Sequence, residues 1–281
     1  MNYLLIDLSY FNFYRFYATK QWYTNAHPEE EFEPGYDWSQ NIIFMEKFQK
    51  MFLTHIAKYQ KKFNIQKTYI LKDCPRDNIW RVKLYPNYKG TRKVMYQKTQ
   101  FMGGHVFKKC YSDILPLILS QTTELLYIPQ LEADDLIYMT ATRLASLDTT
   151  GNINIISSDH DLLQIIDGRE TIKLYTANLK CYNHKSLGDK EIDCFSKAIL
   201  GDPSDNIPKV FKRLGVKTML KLYNDPALLQ SKFTENPGSF TQYCLNRTLV
   251  DFQNIPQSYY SQFDEIFTPN INDALSLGSV N

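Results

Sequence analysis

Short apolar runs alternate with longer amphipathic stretches along this chain. Runs rich in β-branched and aromatic residues predict strands at Tyr3–Ile6, Thr68–Leu71, Leu125–Ile128, Ile153–Ser157 and Ile172–Tyr175. Helix-compatible segments lie between them at Ile42–Phe63, Tyr111–Thr122, Asp134–Ala145 and Ile192–Leu200. Strands that alternate with helices indicate an α/β fold, with a mainly parallel central sheet flanked by helices.

Two polar segments interrupt this alternation. Residues 20–40 contain two prolines and three successive glutamates, which predicts an irregular surface loop. Residues 84–110 are polar and basic and contain three glycines, which predicts a mobile insertion after the second strand. Beyond Leu200 the pattern changes to loops and short helices. We therefore expect a core at residues 1–200 and a second, helical lobe at residues 201–281.

The composition narrows the class of protein. Of 281 residues, 43% are hydrophobic and 22% are charged, which is typical of a soluble globular chain. No apolar run approaches the roughly 18 residues of a membrane span, and Met1–Asp7 reads as a strand rather than a signal peptide. The five cysteines form no C-x-x-C pair, which disfavours disulfides and zinc sites. We expect an intracellular monomer that does not contact membranes.

Acidic residues follow three of the predicted strands. Asp7 comes directly after an apolar run, and Asp73 and Asp159 follow such runs by one or two residues. Parallel strands end at the same edge of a sheet. Further acids lie in three clusters, at Glu132, Asp134 and Asp135, at Asp159 and Asp161, and at Asp202 and Asp205. Carboxylates brought together repel one another unless a cation lies between them. The pattern therefore predicts a site for Mg²⁺ or Mn²⁺, which prefer oxygen ligands.

Each acidic cluster also has a purely structural interpretation. The acids around Glu132 could cap a helix, those around Asp159 could cap a strand-to-helix turn, and Asp202–Asp205 could be an ordinary turn. His160 could be a general base, but a spacer between two carboxylates is the favoured interpretation. A protein without a metal site would require the structural interpretation to be true of every cluster at once. The metal site is therefore the leading hypothesis.

A basic segment accompanies the acids. From Arg81 to Lys109 there are eight lysines and arginines and no acidic residue, although the net charge of the whole chain is only +2. Such a segment suits an enzyme that holds a polyanion next to metal ions, and it also suits a solvated loop. The chain contains neither a G-x-S-x-G nor a P-loop pattern, which disfavours serine hydrolases and NTPases.

In this order, the motifs resemble the 5′ nuclease superfamily of flap endonucleases and phage 5′→3′ exonucleases. They are Leu5-Ile6-Asp7, Asp73, Arg81 with Tyr85-Pro86-Asn87-Tyr88-Lys89-Gly90-Thr91-Arg92, Glu132-Ala133-Asp134-Asp135, Ser157-Ser158-Asp159-His160-Asp161-Leu162 and Gly201-Asp202-Pro203-Ser204-Asp205-Asn206-Ile207-Pro208. A further run, Glu191-Ile192-Asp193-Cys194, is similar to the phage RNase H type of this group. Each motif is weak alone, and the combination over residues 1–220 is specific.

The resemblance implies a PIN-like core that binds two ions of Mg²⁺ or Mn²⁺. By motif position, one ion would be shared by Asp7, Asp73, Glu132 and Asp134, and the other would involve Asp159, Asp161 and Asp205, with Asp135 and Asp202 as neighbours. Lys89 and Arg92 would contact the scissile phosphate, with support from Arg81. Tyr88 would either stack on the terminal base or pack the insertion onto the sheet.

The resemblance also implies two nucleic-acid-binding elements. Residues 84–110, which include Lys93, would form a helical arch for a single-stranded 5′ end. The lobe from Gly201 would be a helix–three-turn–helix element that grips the duplex backbone. Here the chain departs from the family, because Lys209–Leu214 replaces a glycine-rich turn. The charged and polar side chains expected to take over the phosphate contacts are Lys209, Lys212, Arg213, Lys217 and Thr218. A second departure is Lys72, where the family has an apolar residue.

The implied activity is hydrolysis of phosphodiester bonds near 5′ ends of DNA or RNA·DNA, during replication or repair. The alternatives are a related structure-specific endonuclease or RNase, and a catalytically silent protein that binds nucleic acid. The acids at every expected ligand position argue against silence. A single-strand binding protein or a sliding clamp is a candidate partner that no motif in the chain identifies.

Overall fold

A five-stranded parallel sheet forms the centre of the computed structural model, which describes residues 1–166 and 168–267, without the side chain of Lys93. The strands are β1 (Asn2–Asp7), β2 (Lys67–Leu71), β3 (Thr123–Leu126), β4 (Asn152–Ile156) and β5 (Ile172–Tyr175). Their order in the sheet is β3-β2-β1-β4-β5, and every neighbouring pair is parallel. The predicted α/β fold with a mainly parallel sheet is thus confirmed.

Helices account for most of the remaining chain. Those around the sheet are α1 (Leu8–Ala26), α2 (Ile42–Lys62), α3 (Trp80–Leu84), α4 (Gly90–Thr99), α5 (Gly103–Lys109) and α6 (Ala133–Leu147). They are followed by α7 (Lys190–Leu200), α8 (Val216–Asn224), α9 (Pro226–Glu235), α10 (Ser239–Val250) and α11 (Gln257–Ile266). Among the described residues, none of these helices is both long and apolar enough to cross a membrane.

The two faces of the sheet are covered by different helices. Leu4 and Ile6 point from β1 into an aromatic core with α1, α2 and α5, and α2 contributes phenylalanines one helical turn apart, Phe44, Phe48 and Phe52. Leu5 points the other way, towards α6 and α11. Because side chains alternate along a strand, a fully buried sheet requires this continuous apolar sequence.

Several predicted element boundaries need correction. Residues 20–40 are not all loop, because α1 continues to Ala26 before the irregular segment begins. The helical stretch predicted at Tyr111–Thr122 ends at Leu117 and is not an α-helix: Cys110–Ile114 is a π-helical turn and Leu115–Leu117 a 3₁₀ turn, where Pro116 cannot donate a backbone hydrogen bond. The third strand lies two residues earlier than predicted, at Thr123–Leu126. The five cysteines are free, in agreement with the sequence.

The segments after β5 pack as a helical layer beside the sheet. Phe195 and Ile199 of α7 share an apolar cluster with Phe211, Met219 of α8 and Phe233 of α9. Helix α7 also contacts the 3₁₀ turn His160–Ile165, so it touches both the core and the following helices. The division at residue 200 stays a prediction, and residues 268–281 of the expected lobe lie outside the described residues.

Candidate metal centre

The carboxyl ends of three neighbouring strands each present an acid to the same edge of the sheet. Asp7 is the last residue of β1, which lies between β2 and β4 in the sheet. Its Oδ1 accepts a hydrogen bond from the backbone N–H of Tyr10 (3.0 Å), and its Oδ2 accepts one from the Ser157 hydroxyl (2.8 Å). Asp73 and Asp159 follow the neighbouring strands β2 and β4. The predicted convergence of these three acids follows from the strand order.

The start of α6 contributes the next group of acids. Glu132 occupies the N-cap position, and its backbone N–H donates to Asp135 Oδ2 (3.2 Å). Asp73 reaches across from the end of β2, and its Oδ1 accepts the N–H of Ala133 (2.8 Å). Carboxylates are stabilised at a helix N-terminus by its free N–H groups and dipole. The residues that cap the N-terminus of α6 therefore also bring carboxylates to the site.

An open cavity of about 570 Å³ lies at this edge. It is lined by five of the predicted ligands, Asp7, Asp73, Asp134, Asp159 and Asp202, and by three cationic side chains, Lys89, Arg92 and Lys197. His160 also lines the cavity, with its ring 6.1 Å from that of Tyr182. Carboxylates and cations facing one space can bind metal ions and a phosphate together.

The other four predicted ligands are paired with cationic side chains. Arg81, only 2% exposed, donates to Asp135 through both Nη atoms (2.8 and 2.7 Å) and to Glu132 (2.9 Å). Lys89 also binds Glu132, and Arg92 donates to Asp205 (2.9 Å). The fourth acid, Asp161, lies 2.8 Å from Lys197 Nζ. These acids are held in place by internal counter-ions.

Among the described residues, two separate groups of three acids have carboxylate oxygens within 4.8 Å of one another. The first consists of Glu132, Asp134 and Asp135, and the second of Asp161, Asp202 and Asp205. The second group matches part of the predicted second ligand set. In the first group, both oxygens of Asp135 accept from Arg81, and Trp80 donates to the same carboxylate (3.1 Å). The geometry of Asp135 therefore suits a residue that orients Glu132 and Arg81.

Burial and mutual repulsion leave the acids short of positive charge. Burial, together with the charge of Asp73, raises the pKa of Asp7 from 3.8 to about 7. Burial also raises the pKa of Asp161 to about 7, although Lys197 opposes the shift. The pKa of Asp134 is raised by burial and by Glu132 and Asp135. An all-oxygen set of acids with unmet negative charge fits hard divalent cations such as Mg²⁺ or Mn²⁺.

We expect the metal-free protein to lose stability as the pH rises from about 5 to about 8. Asp7 and Asp161 have folded-state pKa values of about 7, above the value of 3.8 for an unperturbed carboxyl. The folded state therefore binds more protons in this range, and its advantage disappears as the pH passes 7. Thermal unfolding in EDTA should show a midpoint that falls by a few degrees, and Asp7→Asn should flatten the fall. A midpoint that rises over this range would contradict the expectation.

Tyr88 does not offer its ring for base stacking. It is 2% exposed, and its hydroxyl donates to Glu132 (3.1 Å) and Asp205 (3.2 Å). Of the two roles weighed for Tyr88, stacking is therefore corrected in favour of packing the insertion onto the core. The physical reason is that an acid-rich wall needs donors, and a buried phenol supplies one while filling space.

The expected duplex-binding side chains lie on the surface of the helical layer. Lys209, Lys212, Arg213, Lys217 and Thr218 are all exposed. Arg213 has a φ of 57°, so an arginine adopts the left-handed conformation that usually requires glycine. The side chain of Lys93 lies outside the described residues. Lys72 lies with its Nζ over the rings of Tyr111 (4.5 Å) and Tyr127 (5.1 Å).

The basic insertion folds as the two helices α4 and α5. A second cleft of about 930 Å³ lies between α4 and the body of the protein. It shares Phe13, Asp73, Lys89 and Arg92 with the first cavity, and it is otherwise lined by more apolar side chains such as Tyr96. The two spaces therefore meet at the pair of cationic residues.

Sequence reasoning missed Lys197, whose Nζ lies 2.8 Å from Asp161 and 2.5 Å from Asp202. The available signal was its spacing, because Lys197 lies in the last turn of α7, one helical turn before Gly201-Asp202. Ser157, which donates to Asp7, was quoted within a motif without a role.

Comparison with protein-family models identifies the family of this chain. Residues 2–192 match the model of the 5′-3′ exonuclease, N-terminal resolvase-like domain. Among curated proteins, ribonuclease H of Enterobacteria phage T4 is 26% identical over 245 residues, which cover 79% of this chain and 78% of that protein. A 5′-3′ exonuclease of Buchnera aphidicola subsp. Schizaphis graminum is 32% identical over 168 residues, which cover 58% of this chain and 54% of that protein.

Solved structures with a similar fold come from bacteriophage T5. The 5′-exonuclease with divalent zinc ions bound has a TM-score of 0.66 and 19% identity, over 94% of this chain and 97% of that chain. The flap endonuclease in a pseudo-enzyme-product complex with DNA and metal ions covers the same shares, with a TM-score of 0.63. Because the identity is only 19%, these two structures establish the fold of this chain and say nothing about its activity.

Proposed function

This chain belongs to the 5′-3′ exonuclease family, and on that premise we propose that it is a divalent-metal-dependent 5′ nuclease that cleaves DNA or RNA·DNA at a single-stranded 5′ end or flap. The resemblance that the motifs indicate is confirmed, and the family consists of hydrolases of phosphodiester bonds. The proposal adds the two-metal mechanism, the substrate and a role in replication or repair inside the cell.

One observation carries the proposal: acids from separate strand ends and from the start of α6 line a single cavity opposite Lys89 and Arg92. Two bound Mg²⁺ or Mn²⁺ ions would supply the positive charge that activates water and stabilises the departing oxygen. Asp7, Asp73, Asp134, Asp159 and Asp202 are the residues that line the cavity and would hold these ions. Asp161 and Asp205 would complete the second site after release from their lysine and arginine partners.

Lys89 and Arg92 would bind and orient the scissile phosphate. Both line the cavity as well as the neighbouring cleft, so a phosphate between the two spaces would lie within reach of both side chains. Lys89 is 7% exposed, and although burial lowers its pKa, Glu132 and other acids raise it well above the usual value. Lys89 therefore stays charged, and a fixed charge in a buried setting stabilises developing negative charge efficiently.

The cleft beneath α4 supports a single-stranded substrate. Tyr96 and Phe13 line it and offer aromatic surface for unpaired bases. The exposed cations around Arg213 would contact the duplex backbone behind the cleavage point. This arrangement would place the junction between single strand and duplex at the metal centre.

A flap substrate labelled at its 5′ end tests the proposal directly. We expect short labelled products with Mg²⁺ or Mn²⁺, and none in EDTA. The same duplex with a blocked 5′ end is the matched substrate control, since it removes only the proposed point of entry. Binding without cleavage under every divalent ion would favour the silent nucleic-acid-binding protein. Cleavage within unpaired loops that lack a 5′ end would favour a different structure-specific endonuclease.

We expect Lys89→Ala to slow the chemical step more than it weakens substrate binding. Charge stabilisation is greatest in the transition state, so kcat should fall by about 10² to 10³. Single-turnover cleavage and equilibrium binding of the flap in Ca²⁺ would separate the two effects. Lys83→Ala is the matched control, because Lys83 belongs to the same basic segment and is exposed. An effect confined to affinity would reduce Lys89 to a steering role.

A further inference from the structure

Lys197 lies between two acids of the second carboxylate group. Its Nζ is 2.8 Å from Asp161 Oδ1 and 2.5 Å from Asp202 Oδ2. Side-chain exposure is 23% for the lysine, 12% for Asp161 and 14% for Asp202, so the ion pairs are largely shielded from water. The ammonium group thus occupies the space that a cation shared by these carboxylates would need.

Rigid backbone holds the partners of Lys197 in place. Gly201 ends α7 with a φ of 68°, and a Cβ there would lie 2.4 Å from the carbonyl oxygen of Ile207. Asp202 and Ile207 exchange backbone hydrogen bonds of 2.9 and 2.8 Å across the following turn. Asp161 is fixed through its N–H, which donates to Asp159 Oδ1 (2.9 Å). The backbone of both acids is therefore held, and Asp202 Oδ1 also accepts from the N–H and the hydroxyl of Ser204 (2.8 and 2.7 Å). The lysine with its flexible stem is the part that can move.

The charge balance explains why a cation is present without metal. Burial lowers the pKa of Lys197, but Asp161, Asp159 and Asp202 together raise it above the usual value, so the side chain remains an ammonium ion. Asp205 is the remaining acid of the group, and one of its oxygens accepts a hydrogen bond from Arg92. Lys197 also lines the open cavity, which gives its ammonium group room to move away from the carboxylates.

We propose that Lys197 is the resident counter-ion of the second carboxylate group, and that a divalent ion binds Asp161 and Asp202 only as this ammonium group leaves them. The inference rests on the proposed metal dependence and extends it to a competition between one side chain and one metal site. Lys197 is accordingly a positioning residue. It keeps the acids folded together without metal and weakens metal binding at the second site, by mutual exclusion.

Manganese binding to the full chain without nucleic acid tests the inference. We expect Lys197→Met to tighten the weaker class of Mn²⁺ sites by about tenfold, measured by electron paramagnetic resonance of free Mn²⁺. The same variant should unfold at a lower temperature than the unsubstituted protein in EDTA, and Mn²⁺ should restore most of the difference. A role in structure alone would lower the unfolding temperature without tightening Mn²⁺ binding.

Three further variants complete the test. Lys197→Gln keeps the polarity and most of the length without the charge, so it should also tighten Mn²⁺ binding if Lys197→Met does not fold. Lys197→Arg retains the charge and should leave Mn²⁺ affinity low, and Lys221→Met is a matched change at an exposed lysine of α8. Unchanged or weaker Mn²⁺ binding in both neutral variants would overturn this inference and leave the proposed function intact. Failure of the unsubstituted protein to bind Mn²⁺ at all overturns the proposed function as well.

Discussion

Asp159→Asn should reduce cleavage of a flap substrate by at least about 10³-fold, which corresponds to a loss of about 4 kcal/mol of transition-state stabilisation. Asp159 lies beyond the end of β4 on the wall of the cavity, close to Asp7 and Asp161. Its Oδ1 accepts the N–H of Asp161 (2.9 Å), and the amide oxygen of asparagine can keep this hydrogen bond. The substitution therefore removes charge with little change in shape.

Cleavage and binding must be measured together for this variant. Duplex affinity should remain within about twofold, because the exposed cations of the helical layer are unaffected. Asp113→Asn is the matched control, since Asp113 is an exposed acid of the π-helical turn. Near-normal rates in Asp159→Asn would contradict the metal assignment. Loss of duplex binding together with activity would point to a folding defect, which unfolding measurements would reveal.

Arg81→Met should destabilise the folded protein by about 3–5 kcal/mol, because it leaves buried carboxylates without their counter-ion. The guanidinium donates to Glu132, to both oxygens of Asp135 and to the carbonyl oxygen of Leu249 (2.7 Å). It thereby links α3, α6 and α10. Asp135 is 0% exposed and cannot recover solvent contacts without local unfolding.

Chemical denaturation at neutral pH measures this loss as a shift in the midpoint concentration. Arg143→Met is the matched control, because Arg143 forms an exposed ion pair with Asp264 that should contribute less than about 1 kcal/mol. A loss for Arg81→Met as small as that of the control would show that Glu132 and Asp135 find other partners. Added Mg²⁺ should recover only part of the stability, since Asp135 faces away from the cavity.

The part of the site that depends on strand order could be predicted from sequence. Asp7, Asp73 and Asp159 were expected to meet because parallel strands end at one edge, and the order β2-β1-β4 places these three strands side by side. Apolar runs also predicted the five strands to within about two residues, because fully buried strands have continuous apolar sequences. Glu132 was found through its motif, and its helix-capping position is consistent with the local sequence.

The pairing of the acids with cations could not be predicted. Arg81 and Asp135, Lys89 and Glu132, and Lys197 and Asp161 are 36 to 54 positions apart in the chain, and no local pattern encodes such distances. Only the contact of Lys197 with Asp202, five positions away, had a local signal. The burial of Tyr88 depends on the same packing. The segment Tyr111–Thr122 is not an α-helix, because its amphipathic periodicity does not reveal the change to a π-helical turn and then to a 3₁₀ turn that contains a proline.

The acids of the cavity are drawn from the whole length of the chain between Asp7 and Asp202. During synthesis on the ribosome, the nascent polypeptide cannot gather them until the segment that follows α7 has emerged. Contacts between such distant residues form late in folding. A partly translated chain would therefore lack a complete centre until the segment that follows α7 had left the exit tunnel.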